Sequence, residues 1–157
     1  MKKEHLAGAL QAAGKHFHNT IECLSEADST FAPREGTYSA AQQVAHAGRT
    51  IDWLMQGAFG PQGFDMDFEK ADREVKKVHS LKQAIEILDR AIAAAAGKIH
   101  SSSEEELAKP IAPGPIMGGQ PRNVIVGAIV DHTAHHRGSL AVYARLLNKV
   151  PKIPYSE

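Results

Sequence analysis

Residues 125–147 read IVGAIVDHTAHHRGSLAVYARLL and contain the most informative pattern in the chain. Apolar and aromatic side chains recur there at spacings of three and four, which is the repeat of one face of an α-helix. His132 and His136 take two places in this apolar face, and they lie one above the other because they are four residues apart. The pattern predicts a long helix from about Pro121 to Asn148 that carries two histidines on its buried side, and Pro151 ends it.

Three earlier segments show the same helical periodicity, and no segment alternates with the period of two expected of a strand. The first predicted helix runs from about residue 4 to 26. The second begins at Ser39 and ends near Gly57, and the third begins at Ser80. Each of these serines is followed three residues later by a glutamine, the capping-box pattern that opens helices. A further helical turn is expected at Ser103–Leu107.

Four amphipathic helices that bury their apolar faces together form a four-helix bundle. The chain of 157 residues is long enough for one such domain, and no repeat or boundary divides it. We therefore expect a single all-α domain over residues 1–157. The connection at 58–79 is long enough to return along a helix, so the second and third helices are expected to run parallel.

The amino-acid composition limits the classes of protein to which the chain can belong. Eighteen Lys and Arg residues balance eighteen Asp and Glu residues, which argues against nucleic acid or an anionic membrane surface as a partner. No stretch approaches the roughly 20 apolar residues of a membrane span. Cys23 is the single cysteine and has no internal disulfide partner. These features predict a cytoplasmic protein.

Histidine is unusually abundant, with nine residues in the chain. Two histidines four residues apart on one helix are a common metal-binding arrangement, although a buried histidine with another partner is an alternative. A third ligand must come from another part of the fold. His46 is favoured because it lies inside the second helix, beside its apolar face. The other candidates are His5, His16, His18, His79, His100 and His135.

Several metal chemistries do not fit the spacing. Thr133 stands where the glutamate general base of a zincin helix would be. The chain has no Glu-x-x-His motif of the kind that ferritin-like di-iron bundles use. Asp52 and Asp131 lie off the histidine face, so a carboxylate ligand beside two histidines is not expected. Three neutral imidazoles remain, and they would leave a divalent ion its full charge and an open position.

The chain resembles the DinB-like (YfiT-like) family of metal-binding four-helix bundles. The resemblance is carried by the histidine in the second helix and by the His132-x-x-x-His136-Arg137-Gly138 string in the last one. It extends to three shorter matches, Tyr38-Ser39, Pro121-Arg122 and Val150-Pro151. One departure is Ser139, where the family commonly has glutamine.

The resemblance implies an up-down-down-up bundle with a long crossover between its second and third helices. It implies that His46, His132 and His136 bind a divalent transition metal, often nickel or zinc. It also implies a homodimer and a small-molecule substrate. Characterised relatives include S-transferases and isomerases that use low-molecular-weight thiols.

Three functional hypotheses follow. The first is a metal-dependent enzyme that activates a thiol or water, such as a thiol-dependent S-transferase or a hydrolase. The second is a non-catalytic metal-binding or interaction module, whose metal site would be closed by a fourth protein ligand. The third is a bundle whose buried imidazoles are satisfied without any metal.

Overall fold

The computed structural model describes residues 2–156, and within that range it contains helices and no strand. An isolated backbone bridge joins Pro110 and Pro121. The all-α bundle predicted from the sequence is confirmed. None of the described helices is both long enough and apolar enough to cross a membrane. The α-helices are α1 (Lys3–Ile21), α2 (Ala40–Phe59), α3 (Phe68–Lys76), α4 (Leu81–Ser101), α5 (Glu104–Ala108) and α6 (Ile125–Leu146), with 3-10 turns at Glu26–Asp28 and Arg122–Val124.

The four long helices share one hydrophobic core. α2 packs against both α4 and α6, and α1 packs against the same two helices. Full burial of a large apolar side chain contributes about 1.5–3 kcal/mol relative to leaving it exposed. The fully buried side chains from these helices include Leu10, Phe17, Val44, Ile51, Leu88, Ile99, Ile129 and Leu140.

Ser29 fixes the relative direction of α2 and α4. Its hydroxyl accepts a hydrogen bond from the backbone N–H of Leu81 at 2.8 Å. Its carbonyl accepts one from the backbone N–H of Ala41 at 3.0 Å. The beginnings of α2 and α4 therefore lie at the same end of the bundle, and the two helices run parallel.

α2 and α6 are antiparallel, and so are α1 and α4. Tyr143, late in α6, donates its hydroxyl to the carbonyl of Tyr38, just before α2. In α1, a Cβ added to Gly14 would lie 3.2 Å from Ile92 of α4, whereas His18 contacts Asp89, one turn earlier in α4. Taken pairwise, these contacts describe an up-down-down-up order.

The long connection at 58–79 differs from the prediction because it contains a helix. α3 has the sequence FEKADREVK, in which Val75 is the single buried residue. Phe68, Ala71 and Val75 do recur there at spacings of three and four, but they fill only about two turns of a highly charged segment, which is too short for the pattern to stand out. Asp67 caps the helix by accepting a hydrogen bond from the backbone N–H of Lys70 at 2.9 Å. α3 packs against α2 and covers one side of the bundle.

Helix ends also differ from the predictions. The first helix ends at Ile21 rather than near residue 26, and Leu24 stays buried in the turn that follows. The second ends at Phe59 rather than near Gly57. The last helix does not begin at Pro121, which precedes a 3-10 turn that leads into α6. In the first helix the apolar periodicity continues past the end because the turn that follows also buries an apolar side chain. The difference of two residues at the end of α2 is within the usual uncertainty of a helix boundary.

The predicted caps are present with one difference. Ser39 and Gln42 form a complete capping box at the start of α2. At the start of α4, Ser80 accepts a hydrogen bond from the backbone N–H of Gln83, but the reciprocal side-chain bond is not made. The helical turn expected at Ser103–Leu107 is confirmed as α5, which Ser103 caps.

The segment between α5 and α6, which we call the 109–122 loop, is closed at its base by backbone hydrogen bonds. The N–H of Arg122 donates to the carbonyl of Lys109 at 3.0 Å, and the N–H of Ile111 donates to the carbonyl of Gln120 at 2.8 Å. At the tip, Met117 has a positive φ of 50°. Its side chain reaches the side of α2 that faces α6, where it lines a pocket described below.

Candidate metal centre

α2 and α6 bring three histidine side chains together. His46 comes from the middle of α2, and His132 and His136 come from successive turns of α6. Their ring centroids are 4.4 to 5.2 Å apart. One nitrogen from each ring can be chosen so that all three lie within 4.8 Å of one another. The sequence predicted this grouping of residues, and the structure places them side by side.

A hydrogen-bond chain holds the ring of His136. Its Nδ1 lies 2.6 Å from Oε1 of Gln43. The amide of Gln43 donates from Nε2 to the hydroxyl of Tyr143 at 3.2 Å, and that hydroxyl donates to the carbonyl of Tyr38 at 2.9 Å. Because Oε1 can only accept, Nδ1 carries the proton. The lone pair of Nε2 on His136 is therefore free for a ligand.

His132 has a nitrogen that needs a partner. Its Nε2 atom is buried and forms no hydrogen bond with any residue in the described range. A buried polar atom without a partner destabilises a fold, so such atoms are rare and call for an explanation. A metal ion held between the three rings would satisfy this atom. The residues present therefore fit a divalent transition metal that accepts imidazole, such as zinc or nickel.

Burial keeps the three imidazoles neutral. Loss of hydration lowers the pKa of His132 to about 4 and that of His136 to about 3, and the neighbouring histidines add to both shifts. Burial also lowers the pKa of His46, although the carboxylate of Asp72 opposes that shift. All three rings are consequently uncharged at neutral pH, which is the state that binds a metal.

Tyr38 and Asp72 connect α3 to the cluster. The ring of Tyr38 lies 5.4 Å from that of His46, and its hydroxyl donates to Asp72 at 2.7 Å. Lys76 forms an ion pair with the same carboxylate, also at 2.7 Å. Burial and the carboxylate both raise the pKa of the Tyr38 hydroxyl, so the phenol remains protonated. This network places a carboxylate and a proton donor beside the histidines.

A pocket of about 720 Å³ lies beside the cluster, between α2, α3 and α6. His46 and His132 form part of its wall. Trp53 lines it as well, and its indole N–H donates to the carbonyl of Asp65 at 2.7 Å, which holds the ring in place. The volume is in the range of pockets that bind small organic molecules.

The remaining histidines lie outside the cluster. His135 is exposed, with its ring 4.8 Å from that of His136. Its backbone carbonyl accepts a hydrogen bond from Ser139. Arg137 does not face the pocket, because its guanidinium lies 5.6 Å from the ring of Tyr155. The residues that do not join the three-histidine cluster are His5, His16, His18, His79, His100 and His135.

Sequence reasoning missed Gln43, Asp72 and Arg49, which all lie around the cluster. Gln43 and Arg49 are three residues before and after His46, so helical spacing alone places them on nearby turns of one side of α2. That spacing was a usable signal. The signal for Asp72 was weaker, because it depends on α3, a short helix with few apolar residues.

The fold has a counterpart among solved structures. A crystal structure of a protein from Streptococcus pneumoniae matches with a TM-score of 0.66 and 15% sequence identity. The match covers 96% of this chain and 92% of the other, and at this identity it shows a shared fold. No match was found among curated proteins. The family profile described as DinB superfamily matches residues 9–140. The chain therefore belongs to the DinB superfamily.

Proposed function

We propose that His46, His132 and His136 bind one divalent transition metal, nickel or zinc, and that the protein is a metal-dependent enzyme. The observation that carries the proposal is the buried, unpartnered Nε2 of His132 beside two other neutral imidazoles. A divalent ion, when bound by three neutral ligands, lowers the pKa of a thiol or water molecule that it holds. Membership of the DinB superfamily supports a metal at this position.

The protein's own residues have separate tasks in this proposal. Gln43 engages Nδ1 of His136 and so leaves Nε2 free for a ligand. Tyr38 and Asp72 tie α3 to the beginning of α2 beside the histidines. The adjacent pocket admits a small molecule. A thiol-dependent S-transferase is the reaction we favour, with a low-molecular-weight thiol as one substrate, a cytoplasmic location and a homodimeric assembly.

The alternative is a non-catalytic metal-binding module. Such a site would be closed by a fourth protein ligand. Within residues 2–156, the group of potential ligands contains the three histidines alone. Cys23 lies just beyond the end of α1 and directs its Sγ toward the carbonyl of Thr20. Three histidines without a fourth ligand in that range, next to a pocket, support an enzyme over a closed structural site.

Metal analysis tests the proposal. Protein purified without a histidine tag, stripped with a chelator and reloaded, is expected to hold about one ion per chain, as a three-histidine site predicts. His46→Ala and His132→Ala should lose that ion, whereas His135→Ala should keep it. Retention of the ion by the first two variants would show that the site is wrong. A melting temperature that does not respond to added metal or chelator would favour a bundle without a metal.

A further inference from the structure

Arg49 lies in the pocket close to the three-histidine cluster. It follows His46 by three residues in α2, so it sits on the same side of the helix and about 4.5 Å further along its axis. Arg49, His46 and Trp53 all line the same pocket. A molecule bound in this pocket can therefore contact the guanidinium and the histidines together.

The guanidinium of Arg49 has no partner among the described residues. Its Nε is buried and forms no hydrogen bond within residues 2–156. No carboxylate of that range lies within ion-pair distance of it. Arginine cannot lose its charge in a protein, so a half-buried guanidinium without a partner is destabilising. The structure leaves this group available to an anion.

The acidic side chains of the pocket are mostly engaged elsewhere. Asp65 and Asp67 accept backbone N–H groups at 3.0 and 2.9 Å. Glu74 pairs with Lys77, which lowers the pKa of that carboxyl, and Arg49 adds to the shift from beyond ion-pair distance. Burial raises the pKa of Asp52, and Arg90 and Arg49 oppose that shift without forming an ion pair with it. Asp131 also lines the pocket. Because none of these groups satisfies the guanidinium, its partner is expected to come from outside the chain.

Apolar side chains form the rest of the wall near Arg49. Trp53 is held by its hydrogen bond to Asp65, and its ring centroid lies 6.0 Å from that of Phe68. Phe68 belongs to α3 and is 54% exposed, an unusual position for a large aromatic side chain. A ligand with a short hydrocarbon part beside its charged group would cover both rings.

We infer that Arg49 binds the carboxylate of a small organic acid that occupies this pocket, with its thiol or other donor group directed to the three histidines. The inference rests on the proposed function and adds the chemical class of the substrate to it. A planar guanidinium binds a carboxylate through two parallel hydrogen bonds, which suits an arginine in this place better than a lysine.

Two thiols that differ in one group test the inference. The metal-free protein is loaded with Co²⁺, whose visible absorption changes when a thiolate binds, and is titrated with mercaptopropionate or mercaptopropanol. We expect the wild-type protein to bind the carboxylate at least about tenfold more tightly, which corresponds to roughly 1.4 kcal/mol. Arg49→Gln should remove most of this preference. Lys70→Gln, which removes an exposed cation of the same pocket, should keep it.

The possible results separate the two proposals. Equal affinity of the wild-type protein for both thiols would overturn the role of Arg49 and leave the metal site standing. A preference for mercaptopropionate that survives in Arg49→Gln would also overturn the role of Arg49, because the carboxylate would then be binding the metal itself. Failure to hold Co²⁺, or no spectral change with either thiol, would refute the proposed function and this inference with it. If circular dichroism shows that Arg49→Gln is unfolded, Arg49→Lys replaces it and should show an intermediate preference.

Discussion

Two neighbouring faces of α2 serve opposite purposes. The face toward α4 is apolar and packed so closely that a Cβ added to Gly48 would lie 2.8 Å from the Cα of Leu88. The face toward α6 and α3 carries Gln43, His46 and Arg49, and polar atoms on it lack partners within the described chain. Successive residues of a helix are rotated by about 100° around its axis. Ala47 and Gly48 therefore belong to the first face, whereas their neighbours His46 and Arg49 belong to the second.

Close packing on one face of α2 offsets the desolvation of polar groups on the other. The α4 face supplies packing and apolar burial, which stabilise the folded state. The α6 face contains desolvated imidazoles and a buried guanidinium nitrogen, which destabilise it until a ligand is present. Substitutions on the first face should therefore change stability, and those on the second should change binding.

Gly48→Ala is expected to have the largest effect. The added methyl would meet the backbone of α4, which cannot move aside as a side chain can. We expect a loss of about 1–3 kcal/mol in the free energy of unfolding, measured by urea denaturation of the metal-free protein. Gly97→Ala in α4 is the matched control, because an added Cβ there meets nothing within 4 Å. The control should gain up to about 1 kcal/mol from helix propensity. Equal behaviour of the two variants would contradict close packing at Gly48.

Gln43→Leu should act on the other face and weaken metal binding. Without the amide oxygen, the ring of His136 loses the contact that sets its orientation and tautomer. Loss of such a partner lowers metal affinity about 10- to 100-fold, which competition with a chelating dye can measure. Gln42→Leu, one residue earlier, removes the reciprocal half of the capping box and a hydrogen bond to the carbonyl of Lys76, and should lower stability without changing affinity. If Gln42→Leu weakens metal binding as much, the role assigned to Gln43 is wrong.

Acid should destabilise the metal-free protein through the α6 face. In the folded chain the pKa of His132 is about 4 and that of His136 about 3, because burial opposes their protonation. The unfolded chain takes up these protons below about pH 6.5, so protonation favours unfolding as the pH falls. This part of the stability should be complete above pH 6.5 and decline from there toward pH 3. Melting temperatures at pH 7, 6 and 5 test the decline, which should be shallower in His132→Leu. A wild-type melting temperature that rises on acidification would contradict it.

Tyr143→Phe should give the smallest effect. The hydroxyl links Gln43 to the carbonyl of Tyr38, and removing it takes away two hydrogen bonds while leaving the ring packed against Phe31. We expect a loss of about 1 kcal/mol in the free energy of unfolding and a modest fall in metal affinity. A larger loss of affinity than in Gln43→Leu would mean that the tyrosine acts on the cluster by another route.

The sequence predicted the part of the molecule that depends on helical spacing. The apolar faces of the long helices, the cap at Ser39 and the positions of His132 and His136 all follow from local periodicity. Contacts between segments far apart in the chain could not be predicted in the same way. Gln43 has a role only because His136, 93 residues later, lies opposite it. α3 was missed because it is short and highly charged, and the role proposed for Arg49 depends on its having no partner within residues 2–156.

The 109–122 loop has a consequence for how the protein can diverge. Its base is closed by backbone hydrogen bonds, which depend little on side-chain identity. Only its tip, through Met117, reaches the pocket. Substitutions or insertions at the tip of this loop can therefore reshape the wall of the pocket while the helices keep their register. Sequence changes in the loop can thus alter which molecules bind in the pocket without altering the three histidines.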